Sequence, residues 1–286
     1  MTISARFSNT NPLTAPPLIG GGSSANTLTV WKRLRIAVLL VILTVVAANA
    51  WLDSRRVANW RSTVDVGIFP IAGDDSPLTH AFVAGVDAAS FQDIDRFFDE
   101  QSRSYGLPLA GPVHTIVYPV LAALPPAPPA APSVLSSIVW SLRMRYYAAG
   151  RGHGADGRSP DVRIFVLFHN PAASPAVAHS VGLRKGQVGV VHAFASRIMA
   201  ARNAVVIAHE LLHTFGATDK YDPSTNAPLY PAGYAEPDKV PRYPQPWTEV
   251  MAGRRPLSPT EHVMPDSLDE CVVGPATAAE IHWTGR

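Results

Sequence analysis

The chain has 286 residues, 47% of them hydrophobic and only 16% charged, with a formal net charge of +2. That length leaves room for one good-sized catalytic domain with accessory segments, and the small net charge, with no dense Lys/Arg stripe, argues against a nucleic-acid-binding surface. Cys271 is the only cysteine, which excludes an intramolecular disulfide.

Residues 1–30 are rich in Ser, Thr, Asn, Gly and Pro around Gly20, Gly21 and Gly22, a composition that cannot build a core. With the following residues to 35 they are expected to form a disordered cytoplasmic tail. Residues 36–52 (IAVLLVILTVVAANAWL) carry no charge. At helical rise the run reaches about 25 Å, just under a hydrocarbon core of roughly 30 Å. Lys32, Arg33 and Arg35 precede it and would hold the N-terminus in the cytoplasm, which makes the run a single-pass signal-anchor. Ala48-Asn49-Ala50 has the form of a signal-peptidase site, so a secreted product is the alternative. Either reading puts residues 60–286 outside the cytoplasm, the first on the outer side of the inner membrane.

Beyond the anchor, period-2 alternation predicts a strand over residues 64–71. Phe91, Ile94, Phe97 and Phe98 predict a helix over 90–105 with Ser90 as N-cap. A second strand is expected over 114–118. The Pro/Ala stretch 124–132 reads as a surface excursion. A helix is expected over 133–149, with Val134, Leu135, Ile138, Leu142 and Tyr146 on one face. A Gly-rich loop covers 151–158. The nearly continuous apolar run 162–168 predicts a buried central strand. A further strand is expected over 187–194, and then a helix over 204–215, capped by Asn203 and ended by Gly216. Residues 222–259, dominated by Pro, Tyr and Gly, read as irregular, and Pro275 opens a last helix running to Trp283. Strands alternating with helices give an α/β domain.

The chemistry lies in His209-Glu210-Leu211-Leu212-His213-Thr214-Phe215-Gly216-Ala217-Thr218-Asp219. Histidines four apart on a helix project from one face, one turn apart, so two ring nitrogens can reach a single tetrahedral ion. Glu210, one position round the helix, is placed to act on a water at the ion's open position. Gly216 permits the turn that brings Asp219 back as a third ligand. Three protein ligands and one open position describe a catalytic zinc site. A lone HExxH can arise by chance on a buried helix. Here the helix, its C-terminal Gly and the acidic residue all fall where the chemistry needs them.

The run HELLHTFGATD resembles the metzincin signature H-E-x-x-H-x-x-G-x-x-H/D in its Asp variant, as in snapalysin-like peptidases. Through Tyr221 and Asp222 it is also similar to the immune inhibitor A type. The resemblance covers residues 209–222 closely and extends to Met251, in Thr248-Glu249-Val250-Met251-Ala252-Gly253, as the methionine of a tight turn beneath the metal. It implies a twisted mixed sheet of five strands with an active-site helix below it, and an edge strand that pairs with extended substrate. On that analogy residues 187–194, in particular Gly189, Val190, Val191 and His192, would be the edge strand.

Some metzincins carry a Tyr two residues after this Met, where Gly253 stands here. Tyr221, Tyr230, Tyr234 and Tyr243 are alternatives for an oxyanion-stabilising role. Glu249 is an alternative third ligand, while Asp222 and Asp238 are read as solvated loop carboxylates. The remaining histidines, including His169 and His192, show no ligand spacing. The expected function is zinc-dependent endopeptidase activity on a peptide or protein substrate, with His209, His213 and Asp219 as ligands and Glu210 as general base. Its rivals are a zinc hydrolase of a non-peptide amide and a non-catalytic binding module on the same fold.

Overall fold

The computed structural model describes residues 31–38, 40, 41, 44, 59–129, 131, 133–152, 159–173, 180–183 and 187–284. The chain divides into two units, Met1–Ala48 and Asn49–Arg286. In the first, residues 31–38 are helical. The expected tail over 1–30 and most of the expected anchor over 36–52 lie outside the described residues. Among the described residues no helix is long and apolar enough to cross a membrane.

The second unit is built on one five-stranded sheet. Its strands are β1 (Val64–Ala72), β2 (Val113–Val117), β3 (Val162–His169), β4 (Val181–Leu183) and β5 (Val188–Phe194), in the order β2-β1-β3-β5-β4. All neighbouring pairs are parallel except β4 against β5. Parallel neighbours need crossovers: α1 (Pro77–Ala84) and α2 (Gln92–Ser104) lie between β1 and β2, and α3 (Val134–Ala149) lies between β2 and β3, while α4 (Ala200–Phe215) follows the last strand of the sheet and α5 (Pro275–Glu280) closes the chain. The domain is therefore mixed α/β. β3 lies at the centre with its middle five residues buried, which accounts for its unbroken apolar run.

Period-2 alternation splits the strand side chains between two cores. Ile68, Ile164, Val166 and Val191 face a large core shared with Ile94 and Phe98 of α2 and Ile207, Leu211 and Leu212 of α4. Phe69, Ile71, Phe165 and Val190 face a smaller core with Met144 and Tyr147 of α3. In the large core Trp60, Phe98, Phe215 and Trp283 meet edge to face at centroid distances of 5.0–6.3 Å. Trp60 Nε1 donates to the Ile281 carbonyl at 2.6 Å, which ties the start of the domain to its last helix. Phe98→Ala should therefore cost about 3–5 kcal/mol, read as a lowered denaturant midpoint.

Four expectations are corrected. The strand over 187–194 is not an edge, because β4 covers it in the register Val181↔Val190, Gly182↔Gly189 and Leu183↔Val188. Gly189 and Val190 are thus paired on both sides, Val191 is buried in the large core, and the edge is β4, a three-residue strand too short to show a period. Ser90 is not the N-cap of an α-helix. A 3-10 turn, Ala88–Phe91, comes first, with Asp87 as its cap and Ser90 closing the capping box. Asn203 does not cap α4, which starts at Ala200. Its amide instead accepts from Phe194 N (3.0 Å) and donates to Phe194 O (2.9 Å), fastening the helix to β5. On α3 the expected stripe of Leu135, Ile138, Leu142 and Tyr146 is exposed, and Met144, Tyr147 and Ala148 face the sheet. That helix is apolar nearly all round, so its periodicity cannot say which side packs.

Candidate metal centre

α4 delivers the site. Its C-terminal turns place His209 and His213 on one face with ring centroids 4.7 Å apart and planes at 86°. The helix stops at Gly216, whose φ of 116° is costly for any residue with a Cβ. The turn sends the chain back beneath the histidines, and Asp219 Oδ1 comes to 3.2 Å from His209 Nε2 and 3.2 Å from His213 Nε2. Possible ligand atoms of His209, Glu210 and His213 also lie within 4.8 Å of one another. Asp219 thus lies against both imidazoles, and Glu210, 6% exposed, stands beside them.

The other nitrogen of each ring is already committed. His209 Nδ1 lies 3.0 Å from the Val250 carbonyl and His213 Nδ1 lies 2.9 Å from the Ala217 carbonyl. A carbonyl oxygen can only accept, so each Nδ1 carries the proton, and in the neutral ring each Nε2 presents a lone pair. Two lone pairs and a carboxylate oxygen then converge on one point, an arrangement that demands a positive charge between them. Protons can provide it, and so can a metal ion. A tetrahedral ion with bonds of about 2.0–2.1 Å holds its ligand atoms roughly 3.3 Å apart. The two edges that run from Asp219 Oδ1, each 3.2 Å, match that spacing.

The electrostatics agree. Burial alone would raise the Asp219 carboxyl, but the two imidazoles outweigh it and hold the group well below the usual carboxylate range. Burial alone would lower the His213 imidazolium. Asp219, the Ala217 carbonyl and the Glu210 charge outweigh that, so its pKa lies above the ordinary value. The pocket thus favours positive charge at its centre.

A turn over Glu249–Gly253 closes the site from below. Met251 is fully buried in the large core. Its carbonyl accepts from Lys220 N at 3.0 Å, and the neighbouring Val250 carbonyl orients His209. Gly253, at φ +68°, ends the turn in the left-handed region, which suits glycine and disfavours a tyrosine there. Glu249 does not reach the imidazoles. Its Oε2 accepts from Ala252 N (2.9 Å), and its Oε1 accepts from Gly274 N (3.2 Å) and Thr277 Oγ1 (2.7 Å), so the carboxylate supports the turn instead. Asp222 likewise turns to its own loop, accepting from Ser224 N and Thr225 N.

Among the four tyrosines, Tyr221 is the one at the site, its ring centroid 6.4 Å from that of His209. Burial, followed by the charges of Asp219 and Glu210, pushes its phenol above the ordinary value. Tyr230, Tyr234 and Tyr243 are occupied with one another, with a 2.9 Å bond between the last two hydroxyls and Arg242 stacked 4.0 Å over Tyr230. A cleft of about 260 Å³ opens beside His209 and Glu210, with Val205, Tyr221, Arg254 and Met264 in its walls. His192 also lines it, and His169 Nε2 lies 2.9 Å from His192 Nδ1. That pair joins adjacent strands, and no spacing within the sequence announces it. A larger hollow of about 400 Å³ near Phe82, Phe91 and Arg197 contains none of the candidate residues.

Compared with known proteins, the chain matches no family model and no curated protein.

Proposed function

We propose that this protein is a zinc-dependent endopeptidase of metzincin type, with His209, His213 and Asp219 as metal ligands and Glu210 as general base. The observation that carries the reading is Asp219 Oδ1 lying 3.2 Å from both His209 Nε2 and His213 Nε2, with both Nδ1 atoms turned to backbone carbonyls. Imidazoles held through their second nitrogen in this way are the common arrangement of metal-bound histidines. Zinc held there would supply Lewis acidity to a water and to a scissile carbonyl.

The protein's own groups do the remaining work. Glu210 takes a proton from the attacking water and returns it to the leaving amine. Tyr221, beside the carboxylates and lining the cleft, is placed to donate to the oxyanion. His209 and His213 keep their orientation through Val250 and Ala217, and the buried Met251 turn supports the floor. The β4 edge is the strand along which extended substrate would pair. The uncharged run over 36–52, with basic residues before it, supports tethering of this domain on the outer side of a membrane.

Asp219 provides the discriminating test. Asp219→Ala should weaken zinc binding and peptide cleavage together, and excess zinc should restore part of the activity. Glu249→Ala should cost much less zinc affinity than Asp219→Ala while lowering the melting temperature, since it strips a buried carboxylate from three donors. Zinc content and cleavage measured side by side in the two variants check both statements. Undiminished zinc affinity in Asp219→Ala, with loss in Glu249→Ala, would take the chain out of the metzincin group.

A further inference from the structure

Asp219 has a short side chain, so the backbone of its neighbours decides whether its carboxylate reaches the imidazoles. Those neighbours are held from two directions. On one side Lys220 N donates to the Met251 carbonyl at 3.0 Å. On the other side Glu280, in the last turn of α5, accepts three bonds. They come from Thr218 N to Oε2 (2.8 Å), from Thr218 Oγ1 to Oε1 (2.7 Å) and from Lys220 Nζ to Oε2 (2.7 Å).

Lys220 is itself 5% exposed, and its ammonium donates further to Thr218 O (2.9 Å) and Thr218 Oγ1 (2.7 Å). One carboxylate therefore ties together the residue before Asp219 and the residue after it. The same short helix also supports the turn below the site, where Gly274 N and Thr277 Oγ1 donate to Glu249. Trp60 Nε1 and the rings around Trp283 lock the residues after α5 to the large core.

We propose that Glu280 is a positioning residue for the third metal ligand, setting metal affinity through the Thr218–Lys220 backbone. The inference rests on the metal-site reading above. A carboxylate that only stabilised the fold would lower the melting temperature with and without metal alike. A positioning group acts on affinity, and only while Asp219 is present to be positioned. Partners in the second layer of a metal site typically cost about 10–100-fold in affinity when removed.

The experiment is a zinc competition titration against a chromophoric chelator on the full chain. It compares wild type, Glu280→Ala, Glu280→Gln, Asp219→Ala and the double variant Asp219→Ala/Glu280→Ala. Melting curves of each metal-free protein run alongside. Glu280→Ala should bind zinc about 10–100-fold more weakly. Glu280→Gln keeps an acceptor for Thr218 N but loses the charge facing Lys220, so it should fall between that variant and wild type. Should Glu280→Ala fail to fold, Glu280→Gln carries the comparison. In the Asp219→Ala background the further loss of Glu280 should change affinity little, because the two effects are coupled. An unchanged affinity in both Glu280 variants overturns the proposal. So does an equal loss with and without Asp219, which would make Glu280 a general stabiliser. A wild-type chain that binds no zinc overturns the metal-site reading itself, an outcome seen before any Glu280 variant is compared.

Discussion

Glu210→Gln should leave zinc affinity essentially unchanged and lower peptide cleavage by about 10²–10⁴-fold, the usual cost of losing a general acid–base. Glu210 stands one position round α4 from His209, with possible ligand atoms of His209, Glu210 and His213 within 4.8 Å of one another, and Asp219 Oδ1 lies 3.2 Å from both imidazoles. Gln preserves the shape and one acceptor oxygen of the side chain, so α4 and the ligand triangle should persist. It cannot hold a proton in transit between water and leaving amine. Zinc content and turnover of a quenched peptide substrate, measured on the same preparation, separate the two roles. If cleavage survived at wild-type rate with stoichiometric zinc, Glu210 would not be the base. If zinc were lost in Glu210→Gln, Glu210 would be a ligand and the Asp219 assignment would fail.

The second large effect is thermodynamic. Zinc that binds only the folded chain should stabilise it by RT ln(1 + [Zn]/Kd), roughly 4 kcal/mol at a thousandfold excess over Kd. His213→Ala should abolish that increment, because it removes one corner of the triangle and leaves the Ala217 carbonyl without its donor. Melting curves with zinc and with chelator, in wild type and in His213→Ala, test this directly. A wild-type melting temperature indifferent to chelator, or a His213→Ala variant still raised by zinc, would exclude the site. Acid should act in the chelator's direction, since the proton competes for the same Nε2 lone pair. The raised pKa of His213 sets that competition in at a higher pH than an ordinary histidine would.

Much of this protein was legible locally. The strand over 162–168 revealed its central position by its composition, since a strand covered on both faces needs no polar alternation. HExxH four-residue spacing places two imidazoles on one helix face whatever the rest of the chain does. Other elements were hidden for physical reasons. β4 is only three residues long, and α1 lacks an apolar periodicity strong enough to stand out. Asn203 looked like a cap because caps and tertiary fasteners use the same short polar side chains, and only the position of β5 decides between them.

What the sequence by itself determined is the chemistry at covalent range: the histidine pair, the adjacent Glu210, the helix stop at Gly216 and the acidic residue after it. Those follow from helical geometry and from the freedom of glycine, both local properties. The tertiary structure alone decided which carboxylate faces the imidazoles, because Asp219 and Glu249 differ not in type but in where long-range contacts aim them. Glu249 is drawn to Gly274 N and Thr277 Oγ1, while Asp219 is presented to His209 and His213 between Met251 and Glu280. It also decided that β4, and not β5, forms the sheet edge, since strand order depends on pairing between segments and is not encoded in either strand's own pattern.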